Sequence, residues 1–201
     1  MAIKFQYNKI SLQNLQKQLK VRERALPTLQ SKEAALRVEV KRAKDQADEL
    51  DEKLRKAMDE YDSMSRLWGE FDQELVSVED VKMTVKKIAG VRTPILEEVI
   101  FDIKSFNLVN KPAWFMQGIQ VLEEMVRISI EREFFLRKMK LLDYARKKTT
   151  QKVNLYEKVQ IPGYKEAVQK IKRFLEDEEN LSKSAQKIVK KRQEQSKEVA
   201  S

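Results

Sequence analysis

Residues 12–68 read LQNLQKQLKVRERALPTLQSKEAALRVEVKRAKDQADELDEKLRKAMDEYDSMSRLW, and their spacing decides the fold. Alternate steps of three and four from Leu12 land on Leu15, Leu19, Arg22, Leu26, Leu29, Glu33, Leu36, Val40, Ala43, Ala47, Leu50, Leu54, Ala57, Tyr61, Met64 and Trp68. Only Arg22 and Glu33 on that grid are charged. A period of 3.5 residues held this long keeps one narrow stripe facing a partner helix and winds the pair left-handedly. A helix over this stretch would extend roughly 85 Å at about 1.5 Å per residue, longer than a small globular core requires. Pro27 lies inside the pattern. It removes one backbone donor and crowds the preceding turn, which predicts either a kink near Ala25–Leu29 or a helix that begins there. The seam keeps register across Pro27, which favours the kinked continuous helix.

Beyond Trp68 the heptads stop. Val81, Met83 and Val85 alternate with Lys82, Thr84 and Lys86, and Val99, Phe101 and Ile103 alternate with Ile100, Asp102 and Lys104. Period two in β-branched and aromatic residues predicts strands. The intervening Gly90-Val91-Arg92-Thr93-Pro94 has turn chemistry. The expectation is a β-hairpin within residues 81–103, packed on a larger body because two strands alone are marginal in water. An irregular cap over the helical turn is the plainer alternative.

A second helical arm follows. Asn110 can cap it, and Pro112 suits a first turn. Its apolar stripe is read as Phe115, Ile119, Leu122, Val126, Ile130, Phe134, Met139, Leu141 and Tyr144. Pro162-Gly163 should kink or unwind the arm, after which Tyr164, Val168, Ile171, Leu175, Leu181, Ala185 and Ile188 resume helical spacing. The predicted class is therefore all-α dominated: a long antiparallel two-helix left-handed coiled coil with a short β-hairpin in the middle. The segments are a first arm over 1–68, a middle segment over 69–113, a second arm over 114–192 and a frayed tail over 193–201. In such a hairpin, facing residues have numbers adding to about 180, so the chain beyond about residue 178 should form an uncovered single helix.

Composition narrows the chemistry. Cys and His are absent, which excludes disulfides, thiol nucleophiles and Cys/His zinc sites. No Gly-x-x-x-x-Gly-Lys-Ser/Thr loop occurs. The acidic groups Glu97-Glu98 and Asp177-Glu178-Glu179 are read as solvated faces rather than metal or acid–base sites. No apolar run reaches the ~18–20 residues of a membrane span, and Met1–Ile10 lacks a signal-peptide core. A cytoplasmic protein without direct membrane insertion is expected. The net charge of +9 is uneven: residues 114–201 carry 20 basic and 13 acidic side chains, whereas 69–113 carry 6 and 8. By itself the basic cluster Lys183, Lys187, Lys190, Lys191 and Arg192 fits a solvated face, an anionic polymer or lipid surface, or a protein ring.

Several stretches carry a family resemblance. Thr150-Gln151-Lys152-Val153-Asn154-Leu155-Tyr156-Glu157 followed by Ile161-Pro162 is similar to the Arg-Arg-Val-Asn-Ala-Leu-Glu … Ile-Pro stretch of the D subunit of V-type (archaeal and vacuolar-type) ATPases. Gln151 and Lys152 stand where that family has two arginines. Ile88-Ala89-Gly90-Val91 with Pro94 looks like the family's Ala-Gly-Val-x-x-Pro, and the closing Lys187-Ile188-Val189-Lys190-Lys191-Arg192 keeps its rhythm. The resemblance spans most of the chain.

It implies a non-catalytic central-stalk rotor subunit with no cofactor. The partners would be a ring of nucleotide-binding subunits, the small F subunit of the rotor and a funnel-like subunit on the membrane ring, without nucleic acid. The complex would hold the protein peripheral to a membrane. On that basis Lys183, Lys187, Ile188, Lys190, Lys191 and Arg192 are expected at the ring. Val81, Met83, Val85, Gly90, Pro94, Val99 and Phe101 are expected at the small rotor subunit. The seam is assigned to Leu15, Leu19, Leu26, Leu29, Leu36, Leu50, Leu54, Leu122, Val126, Val168 and Leu175. A coiled-coil scaffold or membrane-surface protein is the competing reading; it gives no reason for a hairpin containing Gly90 and Pro94.

Overall fold

The computed structural model describes residues 3–62, 69, 71, 75–105 and 114–199. Its elements are α1 (Lys9–Asp62), β1 (Val76–Ile88), β2 (Val91–Ile103), α2 (Phe115–Asn154), a π-helical turn (Leu155–Gln160) and α3 (Ile161–Val199). The chain divides into two compact units, Met1–Ser31 with Thr150–Ser201, and Lys32–Thr149. Helix α1 contributes to both.

The start of α1 is fixed by a cap. Asn8 Oδ1 accepts from the Ser11 backbone N–H at 2.7 Å, and the Gln6 N–H donates back to Ser11 Oγ at 3.3 Å. The helix then runs unbroken for 54 residues with Pro27 inside it, so no new helix begins at the proline. Pro27 lies on the solvent side, away from the seam, and the apolar contacts on either side hold the helix across its missing hydrogen bond. Every grid position from Leu12 to Tyr61 is buried or half-buried. Leu15, Leu36 and Leu50 are buried, whereas Leu19, Leu26, Leu29 and Leu54 are half-buried. Met64, Trp68, Asn110 and Pro112 lie outside the described residues.

In the first unit, Leu15 packs with Ala167, Val168 and Ile171, and Leu12, Tyr164 and Leu175 close around them. The N-terminal segment adds Ile3 and Phe5 to this core, an element the periodicity of α1 does not reach. Gly163 makes room for it, since a Cβ there would lie 3.2 Å from Ile3 Cδ1. In the second unit, Phe71, Leu75, Phe115 and Ile119 form a cluster against which Val76, Trp114 and Leu122 pack. Val126 is half-buried on the same helix. Trp114 is thus part of the packing, 4.9 Å from Phe115 and 6.0 Å from Phe71 between ring centroids.

Both units place α1 against a helix running the opposite way. Lys165 pairs with Glu23 at 3.1 Å in one, and Arg132 pairs with Asp51 at 2.7 Å in the other. The residue numbers of these pairs add to slightly more than the expected value.

Two expectations for the second arm need correction. Leu141 and Tyr144 are exposed; the inward residues are Leu142, which is fully buried, and Thr149. Leu142, Thr149 and Tyr156 follow one another at seven-residue intervals, whereas the step from Phe134 to Met139 loses that phase. The hydroxyl of Thr149 is satisfied by the Ala145 carbonyl at 2.8 Å. Second, Pro162-Gly163 does not interrupt the helix. The irregularity falls one turn earlier, where the Ile161 N–H reaches the Tyr156 carbonyl, five residues back. Proline offers no N–H to the carbonyl four residues before it and crowds that carbonyl; a widened turn relieves both problems. Helix α3 then continues past Arg192 to Val199.

The hairpin is longer than the sequence suggests. Its strands pair antiparallel from Val76↔Ile103 to Ile88↔Val91. The turn is Ala89-Gly90 alone, with φ of 47° and 81°, the signature of a two-residue type I′ connection. Val91 to Pro94 therefore belong to β2, not to the turn. Pro94 is tolerated because β2 pairs on one side only.

Candidate docking surfaces

Apolar side chains are open to solvent at several places in the described structure, and two of these coincide with the surfaces expected to dock. The first is the hairpin. Met83 and Val85 are 59% and 67% exposed, and Val78 and Ile103 are also open. Val81, Pro94 and Phe101 are half-buried, Val99 is buried, and Gly90 sits exposed in the turn. The residues expected to form one docking face therefore divide between two environments. A pair of register irregularities, between Val78 and Asp80 and between Lys82 and Met83, leaves Glu79 and Glu97 without direct cross-strand partners. The bulge at Glu97 shifts the phase of β2 by one residue, so Pro94 and Val99, five apart, both pair with the alternating Val81, Met83 and Val85 series.

Between the hairpin, α1 and α2 lies an open groove of about 750 Å³. Apolar lining from Leu96, Val99 and Phe134 alternates with Arg42, Lys87 and Glu131. Arg127 stands with its guanidinium carbon 5.9 Å from the Phe101 ring centroid. Lys82 and Glu98 bridge the strands at 2.8 Å, and this hydrogen bond holds the Glu98 carboxyl below its ordinary value. The Glu97-Glu98 pair is thus engaged in strand pairing and a bulge. Among the described residues no group of three acidic side chains is arranged to hold a metal ion.

The second surface is the end of α3. From Glu176 to Gln195 every residue is exposed. Leu181 is 73% exposed, with Ile188 and Val189 just over half exposed. Lys183, Lys187, Lys190, Lys191 and Arg192 surround them on the same stretch of helix. Lys183 pairs with Glu179 at 2.6 Å, and Lys190 approaches Glu194 at 3.9 Å. Val168 is buried and Leu175 half-buried, so α3 changes from seam to uncovered helix immediately after Leu175.

The coiled coil also contains a polar cluster that the heptad grid flagged only through its exception. Arg22, a charged residue on the seam, donates to Gln160 Oε1 and lies over Tyr164, while Tyr156 stands on its other side. The tyrosines and glutamine are spaced by four along the π turn and α3. Two consecutive steps of four where the seam alternates three and four were the available signal.

The geometry defines a helix-dominated coiled-coil protein whose exposed features suit docking to other proteins. Comparison with known proteins gives that class a family. The family model for the ATP synthase D subunit matches residues 11–191. The V-type ATP synthase D subunit of Borreliella burgdorferi is 31% identical over 191 residues, covering 93% of this chain and 94% of its own length. The proteins of the same name from Chlamydia muridarum and Chlamydia pneumoniae are 29% and 27% identical, over 86% and 83% of this chain and 88% and 82% of their own lengths. The chain belongs to the ATP synthase D subunit family, the non-catalytic stalk component of V-type rotary ATPases. Among the described residues no helix is long and apolar enough to cross a membrane.

Proposed function

We propose that this chain is the central rotor shaft of a V-type ATPase, transmitting torque between ATP chemistry in a catalytic ring and ion transport in a membrane ring. The observation that carries this reading is the end of α3: a continuous helix, uncovered from Glu176 to Gln195, with apolar residues set among lysines and Arg192. A single helix with open Leu181 and Ile188 gains most by insertion into a larger protein cavity. Exposed ion pairs contribute only ~0–1 kcal/mol each and re-form readily. A tip bearing such charges can pass successive ring subunits without one dominant contact. Lys183, Lys187, Ile188, Lys190, Lys191 and Arg192 are the ring-facing residues in this reading.

The hairpin and adjoining groove are assigned to the small rotor subunit. Met83, Val85 and the open strand edges supply the surface to be covered, while Val81, Gly90, Pro94, Val99 and Phe101 shape and support it. A funnel-like subunit on the membrane ring is the third partner, so the protein would be held at a membrane only through its complex.

Truncation after Asn180 tests the assignment. The shortened chain should fold and still bind the small rotor subunit, but assemble poorly with the ring or hydrolyse ATP without pumping. Normal assembly and coupling by the truncated chain would overturn the reading. Removing residues 76–103 should weaken capture of the small subunit while leaving the helices folded; unchanged capture would move that interface onto the coiled coil.

A further inference from the structure

The order of charges on the exposed part of α3 has a property that docking into a ring does not require. Between Phe174 and Ser182 the charged residues are Glu176, Asp177, Glu178 and Glu179, all acidic. Between Lys183 and Arg192 they are Lys183, Lys187, Lys190, Lys191 and Arg192, all basic. Leu181, Ala185 and Ile188 repeat at coiled-coil spacing through the centre of this stretch, and Phe174, one heptad before Leu181, is partly exposed with its ring 4.8 Å from that of Tyr7. Asp177 and Glu178 lie one turn before Leu181, and Lys191 and Arg192 lie one turn after Ile188. Residues three and four apart share a helix face, so both charged groups flank the same apolar stripe.

We infer that two free copies of this chain pair antiparallel through residues 174–192, about a two-fold axis near Ser184. In that arrangement Asp177 and Glu178 of each copy meet Lys191 and Arg192 of the other, and Leu181 and Ile188 cover one another at the centre. A parallel pairing would place like charges side by side. An isologous contact needs a patch that is complementary to itself, and a helix acidic in one half and basic in the other, with an apolar centre, meets that requirement. The internal pairs Glu179–Lys183 and Lys190–Glu194 are exposed on the other side of the helix, so the pairing leaves them intact. Each helix contributes roughly 28 Å of contact, which places the dimer among weak, transient associations. The pairing belongs to the chain outside its complex; entry of the same helix into a ring would compete with it.

Sedimentation of the full chain at tens of micromolar and low salt should show a monomer–dimer equilibrium that shifts to monomer as salt rises. Lys191→Glu and Arg192→Glu together should weaken the dimer at least about tenfold. So should Asp177→Lys and Glu178→Lys together, and mixing the two charge-reversed proteins should restore pairing. The chain has no native cysteine. Ser184→Cys should therefore give a disulfide-linked dimer under mild oxidation, faster than the exposed control Gln13→Cys. A chain monomeric throughout, a dimer indifferent to both charge reversals, or equal cross-linking at the two positions would each overturn the inference. Circular dichroism of each variant shows that the helices are retained, and restoration on mixing cannot arise from misfolded partners.

Discussion

Arg22 on α1 donates through Nε to Gln160 Oε1 at 2.7 Å, tying the heptad seam of one helix to the π turn of another. The same guanidinium donates to the carbonyl and side-chain oxygens of Gln18 and stands 4.5 Å from the centroid of the Tyr164 ring. A planar cation with several donors in fixed directions can satisfy all of these partners together, which an ammonium cannot. Arg22→Ala should lower stability by about 1–2 kcal/mol, and Arg22→Lys should recover little of it. Thermal melts followed by circular dichroism would read both. Full recovery by lysine would mean that charge alone, not the stacked planar geometry, is what the seam uses.

The π turn accommodates one residue more than the facing α1 seam requires. Removing one exposed residue from it, such as Val159, should convert it to α-helix and leave the contacts on both sides in register. Removing an exposed residue from the interior of α1, such as Lys41, rotates everything beyond it by about 100° relative to its partner. The first deletion should melt at or near the wild-type temperature and the second well below it. Equal losses would show that the π turn is not an absorbed insertion.

The hairpin turn gives a test of local backbone strain. Ala89 occupies a left-handed conformation that an L-alanine adopts at a cost of about 1 kcal/mol, whereas asparagine tolerates it. Ala89→Asn should raise resistance to urea, and Gly90→Ala should lower it by about 1 kcal/mol because its φ is also positive. A Cβ on Gly90 would meet the Lys32 ammonium nitrogen at 3.3 Å, but that long side chain can move aside. The backbone term therefore sets the sign.

Acidity should act through carboxylates alone, because the chain has no histidine. The hydrogen bond from Lys147, followed by that from Arg146, holds Asp143 below its ordinary 3.8. Glu133 and Glu166 are held below 4.5, chiefly by hydrogen bonds from Arg137 and Lys170. A carboxyl depressed in the folded state binds its proton more tightly when unfolded. Its contribution is complete above the unfolded value and is lost as pH falls through the folded one. Lys82 and Lys170 are raised above 10.5, first by hydrogen bonds to Glu98 and Glu166, so their contributions are lost only as pH rises past that range. Urea midpoints should be level near neutrality and fall below the ordinary carboxylate range, with Asp143→Asn flattening part of that fall. A separate step between about pH 6 and 7, where histidine would titrate, would contradict this assignment.

The long seam and the existence of the hairpin were legible in local spacing. Leucine and alanine at 3.5-residue intervals can be buried only along one stripe of a helix, and Leu15, Leu36, Ala43, Ala47 and Leu50 are buried there. The motifs around Val153-Asn154 and Ile161-Pro162 also carried the family. Other features depend on groups distant in the chain and emerged only in three dimensions. Local alternation gives no sign of the bulges at Glu79 and Glu97, because register is set across two strands. Pro162 marks a disturbed helix, but the placement of that disturbance one turn earlier follows from the fit of Tyr156, Gln160 and Tyr164 around Arg22 on another helix. The uncovered end of α3 lies between these cases. Its apolar stripe and sorted charges are written in the sequence. Yet full burial ends at Ile171 and unbroken exposure begins at Glu176 because α1 starts at Lys9 and the segment before it packs Ile3, Phe5 and Tyr7 on α3 only as far as Leu175.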